Sequence, residues 1–328
     1  HREDLEHGHL RGIYFNEAIG AEVLRFSENL SNYKGEETTE LFWWQRLELY
    51  YFFGWRRVED NTRRFRTSYI TMARKNQKTI TRPAKIFYHL LREKEYAPEV
   101  YICATKEDQA KICFQDVKLI KDNTEFLSAV FSSTAEKVFS HELQSKIGFL
   151  TSNPKTADGT RPTYAIIDEY HEFSSDDMIN KMRTGMINRQ DKILDIITTR
   201  GNDKSKPCFQ KETQTYIPIL RGQILDDSTF VLIFSPDPED DIFEPSTWYK
   251  ANPNMGITIR ESDFKEDLDK AINEGSTAIS SFKTLNLNLW VDAAEAWIED
   301  EVWMRGSGKS SLKDFEGQEC YGGLDLAM

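Results

Sequence analysis

The sequence is poor in cysteine, in net positive charge and in long apolar runs. The 328 residues contain four cysteines, Cys103, Cys113, Cys208 and Cys320, none in a Cys-x-x-Cys spacing. That argues against a disulfide framework and a zinc site, and suits a reducing compartment. No apolar run approaches the length of a membrane span, and no signal-peptide pattern opens the chain. The first residue is His1 rather than Met, so a trimmed product or part of something longer is expected. Asp and Glu (54) outnumber Lys and Arg (42), giving a net charge of −12. Such a chain is a poor generic binder of nucleic acid, whose non-specific affinity comes from neutralised phosphates. Any such role must rest on a local basic surface, a repeating assembly or a further segment. One basic cluster exists: Arg56, Arg57, Arg63, Arg64 and Arg66, interleaved with Trp55 and Phe65. A solvated face beside a hairpin and a phosphate-contacting patch account for it equally well.

Glycine is missing where it would matter most. Residues 73–79 read ARKNQKT, ending in the Lys78–Thr79 pair typical of a phosphate-binding loop. The usual glycines, one before the lysine and one five residues earlier, are replaced by Gln77 and Met72. Residues 306–310, GSGKS, spell the pattern better. A phosphate loop, however, needs a buried strand before it, a helix after it and an acidic strand end further on. GSGKS has none of these, and its Gly-Ser content suits a linker. ARKNQKT has all three. SYITMA (68–73) reads as a buried strand and 78–93 as a helix, with Pro83 tolerated in its first turn. YAIIDE (163–169 with Thr163) is an apolar strand ending in Asp168 and Glu169. Asp168 and Thr79 suit Mg²⁺, and Glu169 suits the group that activates an attacking water. Backbone N–H donors do not require glycine, so the loop can cradle phosphates if its turn avoids positive φ at Gln77 and Met72.

The remaining pattern is an alternation of strands and helices. Residues 14–53 read as helical, with an aromatic-rich run ending at Gly54. Strands are expected at 99–105, 146–152, 163–169, 192–199 and 229–236, and helices at 106–121 and 176–187. This points to an α/β fold with a mainly parallel sheet. After about 237 the chain becomes turn-rich, then mostly helical over 262–290. The expected division is an ATPase core with an N-terminal helical region (1–204), a lid or linker subdomain (205–300) whose 229–236 strand returns to the main sheet, and a terminal linker with the start of another domain (301–328).

In this order and spacing the segments resemble the large terminase subunit of tailed double-stranded-DNA bacteriophages, in the branch whose phosphate loop runs R-K-N-G-K-[ST]. FWWQ (42–45) resembles the adenine-contacting Q motif, which places Gln45 against the base. MARKNQKT resembles the variant Walker A loop, with Arg74, Lys75, Asn76, Gln77, Lys78 and Thr79 around the phosphates. The resemblance implies that Arg74 acts on the γ-phosphate. ATKEDQAKICF (104–114) and DGTRPTYAIIDEYHEF (158–173) resemble the segments that follow. IITTRG (196–201) resembles the coupling motif, with Thr198 and Thr199 sensing hydrolysis. WYKANPNMG and LNLNLWVDAAEAWI resemble the lid region. GGLDLA (322–327) resembles the first strand of an RNase-H-like nuclease domain, with Asp325 as a metal ligand.

The implied fold is a P-loop NTPase of RecA/ASCE type. The implied activity is ATP hydrolysis with Mg²⁺, coupled to translocation of double-stranded DNA into a procapsid, with a Mg²⁺- or Mn²⁺-dependent endonuclease in a longer chain. Implied partners are DNA, the portal protein and the small terminase subunit, in a homo-oligomeric ring on the procapsid and a monomer in solution. The implied setting is the host cytoplasm, with transient residence on the procapsid and none in the mature virion. Arg161 is placed either as a finger reaching a neighbour's ATP or as a support for its own turn with Asp158. His171 and Glu172 read as packing or local hydrogen-bonding residues. DEYH (168–171) also spells a DExH box, so a helicase-type translocase is one rival reading. A degenerate nucleotide-binding scaffold for assembly is another, favoured by Gln77.

Overall fold

Apolar runs form the parallel strands of an eight-stranded sheet, and amphipathic stretches cover it with helices. The computed structural model describes residues 2–32, 35–36, 39–93, 95–151, 157–291 and Gly317. The chain divides into two compact units, 1–293 and 294–328. The segment 306–310, Cys320 and the 322–327 strand with Asp325 lie outside the described residues.

The chain opens with α1 (Arg2–His7), β1 (Ile13–Phe15), α2 (Glu17–Glu28) and α3 (Trp43–Gly54), which leads into β2 (Trp55–Arg57). The helical character expected over 14–53 is carried by α2 and α3, with a strand before them and a loop between them. Tyr14 and Phe15 belong to β1, which pairs antiparallel with β2. Asn16 is extended and caps α2 by accepting the Ile19 N–H at 3.2 Å, the usual work of a short polar side chain at a helix start. The stop at Gly54 has a packing cause: a Cβ there would lie 2.5 Å from the Phe15 ring.

The sheet follows, with β3 (Thr67–Thr71), α4 (Thr81–Arg92), β4 (Glu99–Ala104), α5 (Glu107–Asn123) and α6 (Glu125–Val130). Next come β5 (Ser132–Ser133), β6 (Val138–Ser140), β7 (Ser145–Thr151), β8 (Tyr164–Asp168), α7 (Asp177–Gly185) and β9 (Ile193–Thr198). Helix α8 (Pro207–Lys211) continues through a π-helical turn into α9 (Ile217–Leu220), and β10 (Thr229–Ile233) returns to the sheet. Helices α10 (Pro245–Ala251), α11 (Glu261–Glu274) and α12 (Ser276–Leu287) follow.

Strand order is β10-β3-β9-β8-β4-β7-β6-β5. The first six run parallel and the β7–β6–β5 end is antiparallel. Alternate residues of each strand enter opposite cores, as a period of two requires. Ile70, Ile102, Ile166 and Ile197 face α2–α5, while Tyr69, Cys103, Ile167 and Ile196 face α7 and α8. Cys208 and Tyr216 lie in this second core, so 207–233 packs as part of the sheet layer. A third core gathers Trp248, Met255, Phe264, Leu268, Phe282 and Leu287 from α10–α12, together with Ala73 from the main domain. This is the lid.

The arginine cluster is largely internal. Arg63 is 1% exposed; it pairs with Glu93 and donates to the Asp191 and Lys192 carbonyls. Arg64, also buried, pairs with Asp4 and Asp227. These two tie the sheet to its surroundings rather than presenting charge to a ligand.

A candidate nucleotide-binding site at the strand ends

Because β9 lies between β3 and β8, three chain segments meet at the carboxyl end of the sheet: the loop after β3, the acidic pair after β8 and the threonines after β9. Strand ends of this kind are where open α/β sheets bind ligands.

The loop after β3 is longer than expected, since α4 begins at Thr81 rather than at residue 78. Lys75 (φ +66°) and Gln77 (φ +59°) are left-handed. The condition that the turn avoid positive φ is met at Met72 and not at Gln77. The physical reason lies in the amide directions: alternating right- and left-handed residues bring successive N–H groups to one side, forming an anion-binding concavity. Each left-handed non-glycine residue costs about 1–2 kcal/mol. The N–H groups of residues 75–79 have no partner among the described residues. Five consecutive free donors are what a phosphate chain requires.

Lys78, 8% exposed, donates to the Met72 carbonyl at 3.3 Å, and its Nζ lies 3.9 Å from Glu169 Oε1. Burial lowers its pKa, with Glu169 and Asp168 opposing that shift. At Asp168, burial and then the Glu169 charge push the carboxyl up to about 7, against Lys78. Glu169 goes the other way. Burial acts to raise its pKa, but Lys78, His171 and the Thr199 N–H hold it well below the usual carboxylate range. Its backbone is also left-handed, at φ +50°. The pair thus divides into an ionised Glu169 and a buried Asp168 short of positive charge. A divalent cation fits that deficit. Among the described residues no three His, Cys, Asp or Glu side chains cluster as metal ligands, so phosphate oxygens and water would complete its shell.

Thr198 and Thr199 join this acid. Thr199 donates to Glu169 Oε2 from its N–H and its hydroxyl, each at 3.3 Å. Thr198 donates its hydroxyl to the Thr199 carbonyl at 2.7 Å and accepts the His171 N–H at 3.1 Å. With that hydroxyl proton engaged, His171 Nδ1 must carry the proton it shares with Thr198 Oγ1 (3.0 Å) and Glu169 Oε2 (3.2 Å). His171 is therefore wired into the site by local hydrogen bonds. Glu172 instead accepts from the Thr105 hydroxyl at 2.7 Å, at the end of β4.

The other candidates are placed as follows. Arg74 and Lys75 are exposed, without carboxylate partners among the described residues, and Thr79 is half-buried. Arg74 lies near enough to depress the Lys78 pKa. Gln45 is fully buried; its carbonyl caps α3 by accepting the Phe42 N–H at 3.0 Å, and its amino group reaches the Gln77 carbonyl at 3.5 Å. It underlies the phosphate loop. Beside it opens a cavity of about 560 Å³ lined by Leu41, Phe42, Gln77, Ile80, Ala84 and Asp116, among others. Arg161 is exposed, and the partner suggested for it, Asp158, pairs with Lys181. Unread in the sequence were the lid asparagines. Asn252 and Asn254 bond to Asn76 in the loop, and Asn288 bonds to Thr71 and to the Arg200 N–H.

A family model for the ATPase domain of the terminase large subunit matches residues 43–217, more than half of the chain. The chain belongs to the terminase large-subunit family. A second model, the endonuclease domain of the same family, matches residues 223–328. This match starts before β10, which sits in the main sheet, and continues through the lid. Among relatives, the terminase chain is 35% identical over 182 residues to Protein YmfN of Escherichia coli strain K12, covering 55% of this chain and 40% of that protein. Its fold resembles the crystal structure of the HK97 bacteriophage large terminase, with a TM-score of 0.71, 21% identity, and coverage of 83% of this chain and 55% of that one. The terminase chain thus spans roughly half the length, or less, of these relatives. No described helix is long and apolar enough to cross a membrane.

Proposed function

We propose that this chain hydrolyses ATP at the strand-end site and that hydrolysis drives double-stranded DNA into a procapsid. The observation that carries the reading is the run of five unpartnered N–H groups over residues 75–79, beside Lys78 and close to an ionised Glu169. In this reading the five amides and Lys78 hold the phosphates, and the base lies in the cavity beside Phe42 and Ile80. Thr79 and Asp168 hold Mg²⁺, which when bound screens the phosphate charge. Glu169 orients the attacking water and accepts its proton, with His171 and Thr199 fixing the carboxylate. Arg74 supplies charge at the γ-phosphate.

Thr199, bonded to Glu169, and Thr198, bonded to His171, are continuous with Arg200 and pass the loss of the γ-phosphate to the lid. Arg161, exposed on the surface, reaches a neighbouring subunit in a ring. Partners are DNA, the portal protein and the small terminase subunit, met in the host cytoplasm and transiently on the procapsid. Cutting of DNA would use Mg²⁺ or Mn²⁺ at a site that includes Asp325.

The test is phosphate release by the wild type and by Glu169→Gln. The variant should lose at least about 100-fold in turnover, the scale of a removed general base, and should still bind nucleotide. Unchanged turnover would refute the assignment.

A further inference from the structure

Residues 75–79 lack the glycines that normally allow a phosphate loop its left-handed turns, yet Lys75 and Gln77 adopt them. Strained conformations persist only where their surroundings over-determine them. The residue between the two, Asn76, is fully buried and pinned from the lid. Its side-chain oxygen accepts the Asn254 N–H at 3.1 Å, and its backbone carbonyl accepts from Asn254 Nδ2 at 3.3 Å. Its Nδ2 donates to Asn252 Oδ1 at 2.8 Å and to the Ala73 and Arg74 carbonyls at 3.1 and 3.2 Å. The loop's first two amides are also held by the lid, Ala73 N–H by the Ala251 carbonyl at 3.3 Å and Arg74 N–H by the Leu285 carbonyl at 2.9 Å. The clamp itself is anchored. Trp44 Nε1 donates to Asn254 Oδ1 at 2.9 Å, and Asn252 Nδ2 donates to the Asn286 carbonyl at 2.8 Å.

We infer that Asn252 and Asn254 are positioning residues that substitute for the missing loop glycines. They hold Asn76 so that its neighbours stay left-handed and the amides of 75–79 stay aimed at the phosphates. The inference rests on the nucleotide reading above and adds that phosphate affinity depends on lid docking. When the lid moves, the bonds to Asn76 break, Lys75 and Gln77 relax, and the amide cradle disperses. A loop with a glycine at 77 would keep its shape without the lid.

That contrast supplies the test. Asn254→Asp keeps the side-chain shape and the bond from Trp44, but sets an oxygen against the Asn76 carbonyl. Binding of Mg·ATP to the 328-residue chain, followed by calorimetry, should weaken about tenfold, which is about 1.4 kcal/mol. Adding Gln77→Gly to Asn254→Asp should restore most of the lost affinity, which a general defect in the lid would not allow. Asn252→Ala, alone and with Gln77→Gly, repeats the comparison where Asn254→Asp does not fold. Wild-type affinity in the asparagine variants overturns the clamp, and so does a loss that the glycine does not restore. Absence of binding by the folded wild type overturns the site reading itself, together with the clamp.

Discussion

Strands β8 and β9 each contribute to two buried polar groups, one beneath the sheet's helical cover and one at the strand ends. In the first, Arg82 and Lys85 meet Glu48 and Asp195, all four with fully buried side chains. Asp195 is bonded to Arg82 at 2.6 Å, Lys85 at 2.8 Å, Tyr164 at 2.7 Å and Ser68 at 2.9 Å. Two acids face two bases and the network closes. In the second, Lys78 stands 3.9 Å from Glu169, Asp168 is short of cations, and the backbone is left-handed at Lys75, Gln77 and Glu169. One group is complete without a ligand. The other lacks the partners that phosphates and a metal ion would bring.

Breaking the closed network should have the largest effect on stability. Asp195→Asn leaves Arg82 and Lys85 sharing Glu48 alone, and removing one partner of a buried pair costs about 3–5 kcal/mol. Urea unfolding should show that loss with the slope unchanged.

A second closed cluster sharpens the contrast through pH. Burial acts to raise the pKa of Glu93, but Arg63 and His89 bring it down to about 2. Its depressed value gives the sign: the stabilisation is present above the ordinary value of 4.5 and is lost as pH falls from there through about 2. Glu93→Gln should remove about 3 kcal/mol at neutral pH and flatten the acid limb of a stability profile measured between pH 2 and 7.

At the open site the sign reverses. Asp168→Asn removes an under-compensated buried charge, so it should raise the stability of the ligand-free protein by about 1 kcal/mol. The same variant should lose the added stabilisation that Mg·ATP gives the wild type, read as a melting shift.

The six parallel strands were legible because they are apolar runs bounded by polar segments, and YAIIDE, IITTRG and TFVLIFSP carry that signal plainly; the short strands β5 and β6 were missed because SS and VFS carry no such run. The candidate phosphate loop was picked out by context, and the strand, helix and acidic strand end expected around it are present although its own glycines are absent. The N-terminal region was read as helical, as α2 and α3 are, but IYF (13–15) was missed as a strand because it is short and gives no periodicity of its own. Lys75 and Gln77 carry no local cue for positive φ; the constraint comes from residues far along the chain. Asn252 and Asn254 lie some 176–178 positions from Asn76, and no periodic pattern links such distant polar residues. His171 was read as a packing or local hydrogen-bonding residue and does bond to Glu169 two positions away; its bonds to Thr198 depend on β9 lying beside β8, an order that sequence does not reveal.

The central claim is that a phosphate loop without glycine binds nucleotide through Lys78 and the amides of 75–79. It is tested most directly by calorimetric titration of Mg·ATP into the wild-type chain and into Lys78→Ala. The wild type should bind one nucleotide per chain and the variant should lose binding while keeping its fold. A folded wild type that takes up no heat from Mg·ATP, or binding that Lys78→Ala leaves unchanged, contradicts the account.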